Sequence, residues 1–132
     1  MCGIAAIIRK DGAPVDELQL RTMMRTMEHR GPDDDGVFLD GNVGLGFVRL
    51  KIIDLSANGH QPMSSADGRY TIIFNGEIFN YIELRKELLA KGHVFRTNTD
   101  TEVLLTAYIE WGEAMLHRLN GMWAFILLDR EE

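Results

Sequence analysis

Cysteine is almost absent from this chain: Cys2 is the only one in 132 residues, so no internal disulfide can form. That usage fits a reducing compartment and an expected cytoplasmic location. Basic residues are also in deficit, 14 against 20 acidic ones, and they are scattered. Neither nucleic acid nor an anionic membrane surface is therefore expected as a partner. No apolar run approaches the roughly 20 residues of a membrane-spanning helix, and no basic stretch precedes a long apolar core at the N-terminus. His29, His60, His93 and His117 share no metal-ligand spacing, so no metal is expected in this domain. Repeats, low-complexity tracts and linkers are missing too. What remains is 45% apolar, enough at this length for one core and too little for two, hence a single domain over 1–132.

The lone cysteine follows the initiator methionine. Methionine removal, which tolerates a small second residue, would leave Cys2 with a free α-amine. Nucleophile and base would then belong to one residue. A free thiol has a pKa of about 8.5 and an α-amine about 7.7–8.0, so near neutral pH the first is partly ionised and the second partly neutral. An N-terminal threonine activated by its own amine works in the same way, and a thiol is the better nucleophile. Taken alone, however, a single cysteine is more often an inert buried side chain.

Strands and helices alternate with clear punctuation. Cys2 to Arg9 reads as a buried strand ended by a turn over Lys10-Asp11-Gly12-Ala13-Pro14. From Asp16, the residues Leu20, Met23, Met24 and Met27 follow the i, i+3, i+4, i+7 spacing of a helix that stops before Gly31-Pro32, which makes the methionines core residues. Val37 to Leu39, the turn Asp40-Gly41-Asn42 and Val43 to Leu50 read as a hairpin, with a third strand at Ile52-Ile53. A polar loop covers 55–68. Tyr70 to Phe74 is a β-branched and aromatic strand that meets Asn75-Gly76, a pair that by itself reads as a turn.

Asn80 with Glu83, and Thr99 with Glu102, have the spacing of capping boxes opening two helices. The first turns Leu84 and Leu88 inward and stops at Gly92; the second buries Val103, Leu104, Ala107, Tyr108 and Trp111 and stops at Gly112. Asp100 falls in the first turn of the second helix. Met122 to Leu128 is a final apolar strand. The pattern predicts an α+β fold of sheets covered by helices.

Seven segments now stand in order: Met1-Cys2-Gly3-Ile4; His29-Arg30-Gly31-Pro32-Asp33-Asp34; Arg49-Leu50 before Ile52-Ile53-Asp54-Leu55-Ser56; Gly59-His60-Gln61-Pro62-Met63; Asn75-Gly76-Glu77-Ile78-Phe79-Asn80-Tyr81; Thr99-Asp100-Thr101-Glu102; and Gly121-Met122-Trp123-Ala124-Phe125. Together they resemble the glutaminase domain of glutamine-hydrolysing asparagine synthetase, a class II glutamine amidotransferase. That resemblance implies an N-terminal nucleophile hydrolase-like fold, with antiparallel sheets packed face to face and covered by helices.

It also implies roles. Cys2 would attack the amide carbon of glutamine and hold a thioester, while the Asn75 side chain and the Gly76 N–H stabilise the oxyanion. Arg49 would clamp the substrate carboxylate, Glu77 and Asp100 would hold its ammonium, and backbone groups at Ile52 and Ile53 would line the pocket. His29 and Arg30 would lie nearby in a supporting role. Phe47-Val48 stands where the family commonly carries a polar pair.

The resembled domain continues past Leu127-Leu128-Asp129-Arg130, so the expectation is a domain incomplete at its C-terminal end. No cofactor is expected in it; ATP and Mg belong to an absent synthetase domain, in the same or a partner chain, that would use the ammonia. A homodimer is an open option. A methionine left on Cys2 would turn the amine into an amide and silence the chain. Two alternatives therefore stand beside the enzyme: a glutamine-binding scaffold of the same fold, and a structural fragment.

Overall fold

The computed structural model describes residues 1–131. Two antiparallel sheets of three strands each face one another, with helices on the outer surfaces. The first sheet has the order β1-β3-β2, from Gly3–Ile8, Val43–Arg49 and Asp34–Asp40. The second has the order β4-β5-β6, from Met63–Ser64, Tyr70–Ile78 and Gly121–Asp129. Helix α1 (Glu17–Arg25) covers the first sheet, and α2 (Tyr81–Ala90) and α3 (Asp100–Trp111) cover the second. No helix among the described residues is long and apolar enough to cross a membrane.

The two-residue period of the strands sorts their side chains into three apolar layers. Leu45 and Phe47 of β3 meet Ile73 of β5 between the sheets, with Ile4 and Ala6 beside them. Val48 points the other way, joining Ala5, Leu20 and Met24 under α1. Ile72 and Phe74 face α2 and α3, where Leu84, Leu88, Val103 and Leu104 lie. Burying a side chain the size of Phe47 or Ile73 stabilises the fold by roughly 1.5–3 kcal/mol. Phe47 and Val48 are thus committed to two different cores, which is why an apolar pair serves there.

Several expectations need correction. Ile52-Ile53 forms no strand; the chain leaves β3 and runs through an open loop, with Ile52 exposed. The stretch 55–68 holds a short 3-10 turn at Ala57–Gly59 and the strand β4. Met23 is 40% exposed, so only Leu20 and Met24 of α1 are fully buried. Asn80 does not cap α2: its Oδ1 accepts the Asn120 N–H at 2.9 Å and its Nδ2 donates to Arg118 O at 2.9 Å, tying the entry to α2 to the entry to β6. Thr99 does cap α3, its Oγ1 accepting the Glu102 N–H at 3.2 Å, but the Glu102 carboxylate turns to the N–H groups of Arg96 and Thr97 instead of closing a box.

The most consequential correction concerns β5. Asn75-Gly76 makes no turn: the strand continues to Ile78, with Asn75 opposite Ala124 and Gly76 opposite Trp123. Pairing along all of β6 overrides the local turn preference of Asn-Gly. Gly76 is needed because β6 approaches so closely that a Cβ would lie 2.7 Å from Trp123 Cα and overlap Met122 O.

Candidate active site

A cleft of about 310 Å³ opens at one end of the sandwich, between the sheets. Cys2, Arg49, Ile52, Ile53, Asn75, Gly76, Glu77 and Asp100 all line it. Four different parts of the chain supply them, and the fold explains how. Cys2 lies just before β1 and packs at the edge of the inter-sheet core. Arg49 ends β3. Asn75 and Glu77 share the strand face of Ile73, so they continue the inter-sheet layer beyond the point where apolar packing stops. Asp100 is the first residue of α3.

The Cys2 thiol is half-buried and held by the residue after Arg49: Sγ accepts the Leu50 N–H at 3.3 Å and lies 3.6 Å from Leu50 O. Arg30 Nε donates to Cys2 O at 3.0 Å, so the peptide of Cys2 is anchored from the 3-10 turn Glu28–Arg30. Met1 also lines the cleft.

Arg49 is 4% exposed. Nη1 donates to Ser56 O at 2.9 Å and Nη2 to Asp54 O at 2.6 Å. Five guanidinium N–H donors are available, so these two bonds orient the group and leave others for a ligand. Asp54 sits at a left-handed φ of 56°, and its carboxylate accepts the N–H groups of Ser56 and Asn98 at 3.1 and 3.2 Å. The Ser56 hydroxyl, then the Asn98 N–H, hold the Asp54 carboxyl below its ordinary range.

One edge of β5 decides what the cleft offers an incoming oxygen. Odd residues pair with β6, as the flanking bonds Phe79 N to Asn120 O and Arg130 N to Arg69 O require. Even residues therefore point their N–H groups away from β6. On that edge the Phe74 N–H goes to Gln61 Oε1 at 2.6 Å and the Ile78 N–H to Asp100 Oδ2 at 3.1 Å. The Gly76 N–H lies between them, directed to the same side beside the cleft.

Asp100 is 5% exposed, and burial raises its carboxyl pKa above the ordinary value. The Ile78 N–H opposes that shift, while the nearby Glu77 charge adds to it. Arg49 is the one cation among the eight residues, against the two carboxylates of Glu77 and Asp100. Such a site suits a zwitterion with an ammonium and a carboxylate group. Among the described residues, no group of three His, Cys, Asp or Glu side chains converges as a cation site. His60 lies 2.9 Å from Asp34, and His93 lies 2.7 Å from Glu110.

Gly59, Gln61, Thr99 and Thr101 line the cleft as well. Sequence reading assigned none of them a place in the site. Gly59 and Gln61 belong to a segment marked as part of the resemblance, but nothing local announces that a glutamine will be buried beside a strand edge.

A family profile described as a glutamine amidotransferase domain matches residues 1–132. Asparagine synthetase [glutamine-hydrolyzing] 1 of Bacillus subtilis is 48% identical over 136 residues, covering 100% of this chain and 21% of that protein. A putative asparagine synthetase [glutamine-hydrolyzing] 2 of Methanocaldococcus jannaschii is 40% identical, with coverage of 100% and 28%. The chain thus spans 21–28% of the length of these curated relatives. Among solved structures, glutamine phosphoribosylpyrophosphate amidotransferase from B. subtilis shares the fold, with a TM-score of 0.80 at 20% identity over 97% of this chain and 35% of its own.

Proposed function

The chain belongs to the glutamine amidotransferase domain family, and on that premise we propose that it hydrolyses the side-chain amide of glutamine to glutamate and ammonia. The observation that carries this reading is the convergence of Cys2, Asn75, Gly76, Arg49 and Asp100 on one cleft. Once Met1 is removed, the free α-amine of Cys2 takes the thiol proton and the thiolate attacks the amide carbon. The carbonyl π electrons move to oxygen, and the Asn75 amide and the Gly76 N–H stabilise the oxyanion. Collapse expels ammonia, protonated by the Cys2 ammonium, and leaves a γ-glutamyl thioester on Sγ. Water, deprotonated by the same amine, then releases glutamate and restores the thiol.

Arg49 holds the substrate carboxylate with the donors that Asp54 and Ser56 leave free, and Glu77 and Asp100 hold the ammonium. Ile52 and Ile53 wall the mouth of the cleft. The named relatives support a destination for the ammonia: ATP-dependent asparagine synthesis in a synthetase domain of the same or a partner chain. ATP and Mg would bind there.

Mass spectrometry to follow Met1 removal, paired with a glutamate-release assay, tests the reading. The processed full-length protein should hydrolyse glutamine, and Cys2→Ala should abolish hydrolysis while glutamine still binds. Appreciable glutamate from the Ala variant would end the assignment. Binding without hydrolysis in the processed, unmutated protein would favour the scaffold reading.

A further inference from the structure

The segment 59–61 plays no part in the chemistry above, yet it touches three of the elements that carry it. Gly59 lies so close to the Arg49 guanidinium that a Cβ there would overlap Nη2. Gln61 is 4% exposed, and both polar atoms of its amide are engaged. Its Oε1 accepts the Phe74 N–H at 2.6 Å, while its Nε2 donates to Phe74 O at 3.3 Å and to Thr101 Oγ1 at 3.2 Å. A backbone N–H can only donate, which settles the orientation of the amide. The Gln61 side chain thus pairs with Phe74 as a neighbouring strand would.

Phe74 immediately precedes Asn75, and Thr101 immediately follows Asp100. One buried amide therefore joins the strand bearing the oxyanion donors to the helix bearing the ammonium partner. The backbone of residue 61 is itself seated on the opposite sheet. Gly36 of β2 has no Cβ to strike Gln61 O, and His60 Nδ1 is 2.9 Å from Asp34 Oδ2.

We propose that Gln61 is a positioning residue: it sets the separation between the Asn75-Gly76 oxyanion donors and Asp100, and thereby the preference for an amide that carries an α-ammonium. This rests on the glutaminase reading. Glutamine's amide carbon and α-nitrogen are joined by a flexible chain of three carbons. Selection for that substrate therefore requires both receptors to be held at a fixed distance, since displacements of about 1 Å can change rates by up to roughly 100-fold.

Removing the Gln61 amide would strand the Phe74 N–H and C=O, so the cleaner test releases only the helix arm. Thr101→Val keeps the shape and loses the hydroxyl. In the processed full-length protein, kcat/KM is measured for L-glutamine and for glutaramate, which lacks the α-amine, beside a melting curve. Thr101→Val should reduce the preference for L-glutamine about tenfold, and Thr101→Ser, which restores the hydroxyl, should recover it. Should Thr101→Val not fold, Thr101→Ala is read by the same criterion. An unchanged preference in a folded variant, equal losses on both substrates, or failure of the Ser variant to recover overturns the positioning role while leaving the glutaminase reading intact. No hydrolysis by the unmutated protein overturns both.

Discussion

Asp100 Oδ2 accepts the backbone N–H of Ile78 at 3.1 Å, joining the first residue of α3 to the last residue of β5. The contact satisfies a strand-edge donor with a buried carboxylate whose residue lines the cleft. Burial raises the proton affinity of Asp100, with the Glu77 charge adding to it. In the folded state Asp100 therefore binds its proton at higher pH than in the unfolded chain. Between those two pKa values the native state holds more protons, so this group's contribution to stability declines as pH rises through that window.

Asp100→Asn should accordingly melt at the same temperature as the parent or higher at neutral pH, with the difference shrinking as pH falls through the window. Its amide oxygen can still accept the Ile78 N–H. The KM for glutamine should rise roughly 10- to 100-fold, the effect of losing one hydrogen bond to a charged group. Melting curves across pH beside steady-state kinetics decide, and a normal KM would remove Asp100 from ammonium binding.

Arg49→Lys should raise the KM for glutamine at least ~10-fold with a smaller change in kcat. Two guanidinium nitrogens already hold Asp54 O and Ser56 O. A lysine ammonium cannot keep both carbonyls and also grip a carboxylate in two places. An unchanged half-saturating concentration would show that Arg49 orders its loop and nothing more.

Asn75→Ala should lower kcat roughly 100- to 1,000-fold, the loss expected for one oxyanion donor, while KM moves far less. Asn75 lies within a paired strand and forms no turn, so loss of turn geometry cannot account for such an effect. Urea titration should place the stability change within ~1 kcal/mol. Normal turnover in the folded variant would leave the oxyanion with the Gly76 N–H alone.

Gly76→Ala should behave differently, losing stability by about 1–3 kcal/mol because its Cβ has to displace β6 at Met122 and Trp123. Activity should fall in the fraction that remains folded, since moving the strand moves the N–H. Fully active, stable Gly76→Ala would show that the strands can separate without disturbing the site.

Legibility in the sequence followed the range of the forces involved. The apolar runs at 2–9, 43–50, 70–74 and 122–128, the Asp-Gly hairpin turn and the Thr99 cap all depend on near neighbours, and the structure puts strands within a residue of those bounds except that β5 runs on to Ile78. Residues 75–78 followed no local rule. Asn-Gly prefers a turn, but nine residues of pairing with β6 hold the strand straight. Asn80 met the pattern of a cap and serves a partner 40 positions away. Ile52-Ile53 had strand composition but no neighbouring strand to pair with.

The sequence by itself determined the chemistry available: one thiol at the N-terminus, one guanidinium after an apolar strand, an amide beside a glycine, and an acid in the first turn of a helix. Only the tertiary structure decided that these meet. Their separation along the chain is bridged by sheet pairing, by the thiol's contact with Leu50 at a distance of 48 residues, and by the buried Gln61 amide reaching Phe74 and Thr101. Periodicity and capping report interactions within a turn or two of chain. Long-range hydrogen bonds leave no such periodic trace, because either partner alone looks like an ordinary polar residue until the fold removes both from water.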